Sequence, residues 1–320
     1  MNQVIEQKVE VEGRYKMVAI RPDGSERVLA DWFPNLILNA GLDSLALTNP
    51  ANLCYRYCQV GSGTATPTVN DTQLQSRIAG VVSATFGQYQ QDATGIVTTS
   101  PRYAYDTIMY EFATGVAAGN IAEVGVANGP GPTGMRMFSR ALVLDSGGNP
   151  TTVTVLSDEI LRIYYELRWY IPETDSTGTV VLDGVTYDWT IRSLCANSVT
   201  SNQGWPGNRA YEPGGWLVRE FWIPFVGGDL AAITASAPTG TQQTAVNPTC
   251  TIASAYVAGN YWVEYWVEFS TDQANVNITC FSFTITQFGR RQMKFSPPIP
   301  KTSSKKLRLK IRTTWARRSI

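Results

Sequence analysis

The stretch that most constrains the fold is "ILRIYYELRWYI", residues 160–171, where side chains alternate in character for twelve positions. Leu161, Ile163, Tyr165, Leu167, Trp169 and Ile171 share one face, and Arg162, Glu166 and Arg168 share the other. Period-two alternation of this length describes a half-buried strand and gives no continuous apolar stripe on a helix. "YWVEYWVEF" (261–269) and "KLRLKIRTTW" (306–315) repeat the pattern. Two hairpins are legible: "VAIRPDGSERVL" turns at Pro22-Asp23-Gly24, and "VVLDGVTYDWTI" turns at Asp183-Gly184 between two β-branched runs. Helical patterns are short. "NLILNAGLDSLAL" (35–47) predicts two or three turns, and "NDTQLQSRIAG" (70–80) predicts another, with Asp71 as cap and Gly80 as stop.

These signals predict an all-β protein with short helices only, built of antiparallel β-sandwich-like modules, two in number. Small residues, Gly and Pro dominate 227–249, which predicts a β-rich domain over 1–230 and a C-terminal sandwich-like domain over 231–320. A charged fraction of only 16% fits a β-rich globular chain better than a coiled coil or a disordered one. No apolar run is long enough for a membrane helix, so membrane insertion is not expected. The polar opening "MNQVIEQKVEVEG" does not read as a secretion signal.

Histidine is absent. That removes Ser-His-Asp and Cys-His catalysis and His-ligated zinc or haem. The five cysteines, Cys54, Cys58, Cys195, Cys250 and Cys280, do not form a disulfide framework pattern. Cys54 and Cys58 have zinc-like spacing but no second half-site, and along a strand they would lie about 13–14 Å apart. "GSG" at 61–63 lacks the remainder of any nucleotide-binding fingerprint. No cofactor, metal or catalytic residue is expected.

The formal net charge is zero, yet no acid follows Asp272 and eleven Lys or Arg residues fall between Arg290 and Arg318. Lys306, Arg308, Lys310 and Arg312 occupy one face of the last strand. Trp262, Glu264, Trp266 and Glu268 occupy one face of another. If those strands are neighbours, cations lie opposite carboxylates and their stems cover the indole rings. This reading is preferred to a contact with an acidic subunit, and both are preferred to nucleic acid, for which the basic footprint is too narrow. Trp262, Glu264, Trp266 and Glu268 are also candidates for a partner or glycan contact, as are Trp205, Tyr211 and Trp216 in the loop "GWPGNRAYEPGGW" (204–216). A glycosidase pair made of Glu264 and Glu268 is disfavoured, because about 13–14 Å separates them along a strand.

Several segments taken together resemble a known group. "WFPNLILNAGLDSLA" and "CQVGSGTATPTVNDTQLQSRIA" are followed by "GNIAEVGVAN" and "FSRALVLDSGGNPTTVTVLSDEILRIYYELRWYIP", and the chain closes on "FSPPIPKTSSKKLRLKIRTTWAR". Their order and spacing resemble tailed-bacteriophage virion structural proteins of the tail-fibre, tail or neck-appendage type. The resemblance spans most of the chain and is weakest over 172–260. It implies a non-enzymatic β-rich part of the virion, in the tail or neck (collar) region. Such a part is made in the host cytoplasm and works as a homo-oligomer joined to other virion subunits. A receptor- or glycan-binding tail tip is the alternative, and a polysaccharide depolymerase ranks third. Inter-subunit disulfides among the cysteines are a further expectation.

Overall fold

The computed structural model describes residues 4–46, 55–82, 91–129, 135–195, 222–285 and 289–318. Strand accounts for 57% and helix for 2% of these residues, and no helix reaches seven residues, so the chain is all-β. In chain order the first elements are β1 (Ile5–Ile20), β2 (Glu26–Pro34), β3 (Leu36–Ile37), α1 (Asn39–Ser44), β4 (Tyr57–Gly61), β5 (Arg77–Val82), β6 (Gln91–Val97) and β7 (Tyr103–Phe112). Next come β8 (Gly119–Ile121), β9 (Glu123–Ala127), β10 (Met137–Leu142), β11 (Val153–Val155), β12 (Ile160–Tyr170), β13 (Ser176–Leu182) and β14 (Val185–Leu194). The remainder are β15 (Ile223–Val226), β16 (Thr241–Gln242), β17 (Thr249–Ile252), β18 (Trp262–Phe269), β19 (Asn277–Ile285), β20 (Gly289–Pro300) and β21 (Leu307–Arg317).

The chain divides into two compact units, each assembled from separate stretches. Unit I draws on Met1–Glu10, Gly95–Ala104 and Trp169–Ala316; unit II draws on Val11–Thr94, Tyr105–Arg168 and Arg317–Ile320. This differs from the linear division at 230/231 read from composition. The physical reason is that strand partners need not be close in sequence. In unit I the buried Gln7 side chain donates to Thr313 Oγ1 (3.0 Å), which ties the first strand to the last.

In unit I, β17, β18, β21 and the start of β1 follow one another in one sheet, and β13-β14-β20-β19-β15-β16 form a second. Val263, Tyr265, Val267 and Phe269 of β18 and Leu307, Leu309, Ile311 and Trp315 of β21 are buried. Phe269 meets the aromatic cluster on the second sheet. Phe269 stacks on Phe281 (5.0 Å between centroids), and Trp222 stacks on Phe283 (4.2 Å) and stands edge-on to Phe269 (5.6 Å). Face-to-face antiparallel sheets with an aromatic interior make this unit sandwich-like. Its β13–β14 hairpin turns on Asp183 (φ 50°) and Gly184 (φ 79°), the two left-handed residues that a two-residue turn requires.

In unit II, β2, the body of β1, β12, β7 and β6 lie in one sheet and β3-β10-β9-β4-β5 form the other. The core between them is rich in tyrosine. Tyr15 and Tyr165 are 4.9 Å apart, Phe138 stands edge-on to Tyr165 (6.4 Å), and the Tyr15 hydroxyl meets Ser139 Oγ at 2.7 Å. The Tyr110 hydroxyl donates to the Tyr55 carbonyl. Burial drives the Tyr15, Tyr110 and Tyr165 hydroxyls well above their ordinary pKa, so each stays protonated. The β1–β2 hairpin closes at the turn read from sequence, with Gly24 N–H donating to Arg21 O (2.9 Å) at a φ of 82°.

α1 is the one helix among the described residues and falls inside the predicted 35–47 segment. Leu38 N–H donates to Phe138 O (2.8 Å), and Leu38, Leu74 and Met137 form a buried cluster beside it. Gly41 lies directly against the Phe138 backbone, where an added Cβ would collide with the carbonyl. The helix predicted over 70–80 does not form. Residues 70–76 run through turns and β5 begins at Arg77. The reason is a competing acceptor: the Gln75 and Ser76 N–H groups, which a helix would use internally, donate to Glu123 (3.0 and 2.7 Å).

Gly41→Ala is therefore expected to destabilise the protein by about 1–3 kcal/mol through overpacking. Gly129→Ala, where a Cβ meets nothing within 4 Å, should stay within about 0.5 kcal/mol of the parent. Urea denaturation of both variants checks this, and equal midpoints would contradict it.

Candidate functional site

In unit I, β18 and β21 pair antiparallel with Glu264 opposite Arg312, Trp266 opposite Lys310 and Glu268 opposite Arg308. The period-two pattern puts all of these on the outer face, because the intervening residues fill the core. Glu264 Oε1 accepts from Arg312 Nη2 at 2.5 Å and Nε at 3.0 Å, while its Oε2 faces Lys310 Nζ at 2.5 Å. Glu268 Oε1 accepts from Lys306 Nζ (2.7 Å), with Arg308 Nε 3.8 Å from its other oxygen. The Arg312 guanidinium lies over the Trp262 ring at 4.4 Å and that of Arg308 over Trp266 at 4.3 Å. Both indoles thus carry a cation on one face.

Burial raises the Glu264 carboxyl pKa, but Lys310 and Arg312 outweigh it and hold the group below its ordinary value. The hydrogen bond from Lys306 does the same for Glu268. Both glutamates are ionised and engaged at neutral pH. In this arrangement the eight residues act chemically as a cross-strand ladder that fixes register. Trp205, Tyr211 and Trp216 of the 204–216 loop lie outside the described residues.

A second constellation carries no signature as a catalytic motif and was not singled out in the sequence. In unit II, Glu123 of β9 is fully buried. Its carboxylate accepts from the Gly63 (3.1 Å), Gln75 (3.0 Å) and Ser76 (2.7 Å) N–H groups and from Arg140 Nε (2.9 Å). Arg140, 3% exposed, also donates to Asp71 Oδ2 (2.6 Å) and to the Ala65 carbonyl (3.0 Å). Burial raises the Asp71 pKa, yet the Thr68 donors and Arg140 outweigh it and keep it low. Gly61 and Gly63 press against Glu123 so closely that a side chain at either would meet its carboxylate. The "GSG" segment is therefore a cradle for an anion, and that anion is the chain's own glutamate. The readable signal was one acid in the apolar run "IAEVGVA" and one base in "FSRALVL".

Cys58, Cys195 and Cys280 are buried thiols and Cys250 is half-buried; Cys54 lies outside the described residues. Burial pushes Cys280 up to about 11 and Cys58 well above its usual range, which leaves both poor nucleophiles. Among the described residues no cluster of three or more His, Cys, Asp and Glu could hold a metal ion, and no helix is long and apolar enough to cross a membrane. Compared with protein-family models, curated proteins and solved structures, the chain matches none.

The ladder yields a pH prediction. Glu264 has a folded pKa below its ordinary 4.5. Its stabilising contribution is thus fully present above that value and is lost as pH falls through the lower folded one. Glu264→Gln should cost about 1.5–3 kcal/mol at pH 7, the worth of charge-assisted hydrogen bonds to a buried carboxylate. The gap between variant and parent should close in acid. A pH-independent gap in denaturation midpoint would contradict this.

Proposed function

We propose that the chain is a non-enzymatic structural component of a bacteriophage virion, a tail, neck (collar) or tail-fibre protein that assembles with other virion subunits as a homo-oligomer. The observation that carries this reading is the collinear set of segments resembling such proteins, together with the work those segments do within unit II. "NLILNAGLD" supplies Leu38, Gly41 and α1; "VGSG" supplies the glycines around Glu123; "NDTQL" supplies Asp71 and Leu74; "AEVGVA" supplies Glu123; and "FSRAL" supplies Phe138 and Arg140. Arg317 of the closing "TTWAR" donates to the Ile37 carbonyl and, at 2.5 Å, to Asn39 Oδ1 at the start of α1. The shared pattern is thus a framework pattern: its residues hold strands and loops together. A rigid assembly part is the role that such a pattern suits.

The receptor- or glycan-binding alternative uses Trp262, Trp266 and the 204–216 loop. A sugar stacking on the ladder indoles from the guanidinium side would have to displace Arg312 or Arg308. The ladder therefore favours the structural role over the binding one.

Antibody-gold labelling of intact particles, with antibody raised against the recombinant chain, tests the proposal. Label at the neck or along the tail is the expected result. Label confined to the distal tip would move the assignment to receptor binding. Absence of the chain's peptides from purified particles by mass spectrometry would overturn it.

A further inference from the structure

Lys301 follows β20 directly and is only 3% exposed. Among the described residues its ammonium nitrogen donates to two neutral oxygens, Asn275 Oδ1 at 2.8 Å and the Thr302 carbonyl at 3.0 Å. No carboxylate among the described residues forms a salt bridge with it. A buried cation without an opposite charge in contact is costly to keep. Burial accordingly lowers its pKa, with the nearby Asp272 charge opposing the shift, and so raises the share of neutral, nucleophilic amine.

The facing carboxamide is held from both sides. Asn275 Oδ1 accepts from Lys301, and its Nδ2 donates to the Thr271 carbonyl (2.7 Å). The backbone fixes the same pair of segments, with Lys301 N–H donating to the Val276 carbonyl (3.1 Å) and Asn277 pairing with Pro300. The amine thus touches the oxygen of a carboxamide held on an anchored loop.

We propose that Lys301 and Asn275 join in an intramolecular isopeptide bond. The Nζ lone pair attacks Cγ of Asn275, the Cγ–Nδ2 bond breaks, and one proton passes from Nζ to the departing nitrogen. An amine and a primary carboxamide become a secondary amide and free ammonia, with no oxidant, reductant or co-reactant required. Proximity supplies the rate advantage, because the amine is already hydrogen-bonded to the carboxamide it attacks. The product removes the buried positive charge and ties the 271–276 loop covalently to the end of β20. Such a cross-link suits any β-sandwich that must resist forced or thermal unfolding, whatever its role.

Intact-mass measurement of the purified full-length chain, followed by tandem mass spectrometry of its peptides, tests this. The expected result is a chain lighter by one ammonia, with the peptides containing Asn275 and Lys301 recovered as one linked species. Asn275→Ala alters an exposed side chain and should restore the full sequence mass, as should Lys301→Arg. Recovery of both peptides unlinked, or an ammonia loss located elsewhere, would overturn the proposal.

Discussion

Unit II depends on one buried ion pair. Glu123 of β9 and Arg140 of β10 lie on adjacent strands of one sheet, Glu123 opposite Leu142 and Arg140 opposite Gly125, and their side chains meet. Removing two charges from water costs several kcal/mol per ion unless further hydrogen bonds compensate. Here they do. The carboxylate takes three backbone N–H groups from a loop that has no strand partner for them, and Arg140 reaches on to Asp71 and the Ala65 carbonyl. The pair therefore does more than neutralise itself. It gives the 61–76 connection its conformation, and that connection brings Leu74 to the cluster beside α1.

Unit I is organised by a different device. Its ladder lies on the outer face, where Lys310 and Arg312 cover a buried Glu264 while the Glu268 pairs stay more exposed, and its value lies in choosing which residue faces which. A one-residue slip of β18 against β21 would send Tyr265 and Val267 outward and bring Glu264 and Glu268 into the aromatic core. The apolar face enforces the register and the charged face agrees with it. Agreement between levels of this kind is what makes a strand pairing unique.

That contrast explains what the sequence revealed. The alternation of "YWVEYWVEF" against "KLRLKIRTTW" could be read because both the partner rule and the period are local, and opposite charges at matching spacing name the neighbour. The Asp183-Gly184 hairpin was legible for the same reason. The Glu123 centre was not, because its donors come from Gly63, Gln75 and Ser76 and its cation from Arg140, none of which is within reach by periodicity. The same hidden acceptor undid the helix expected over 70–80, since it takes the N–H groups a helix would need. The two compact units draw on separate stretches, with the start of β1 and nearly all of β21 in one of them, a grouping that no local composition signal carries. Lys301 read as one basic residue among eleven in the C-terminal segment, and only burial distinguishes it.

The central claim is that Glu123 organises the 61–76 connection of unit II. Native-state hydrogen exchange on the parent and on Glu123→Gln addresses it directly, since glutamine keeps the shape and removes the charge. The account predicts that the Gly63, Gln75 and Ser76 amides exchange together about 10–100-fold faster in the variant, the loss of charge-assisted hydrogen bonds. Amides of β18 and β21 should keep their protection. Unchanged protection at those three amides, or an equal loss across the whole chain, would contradict it.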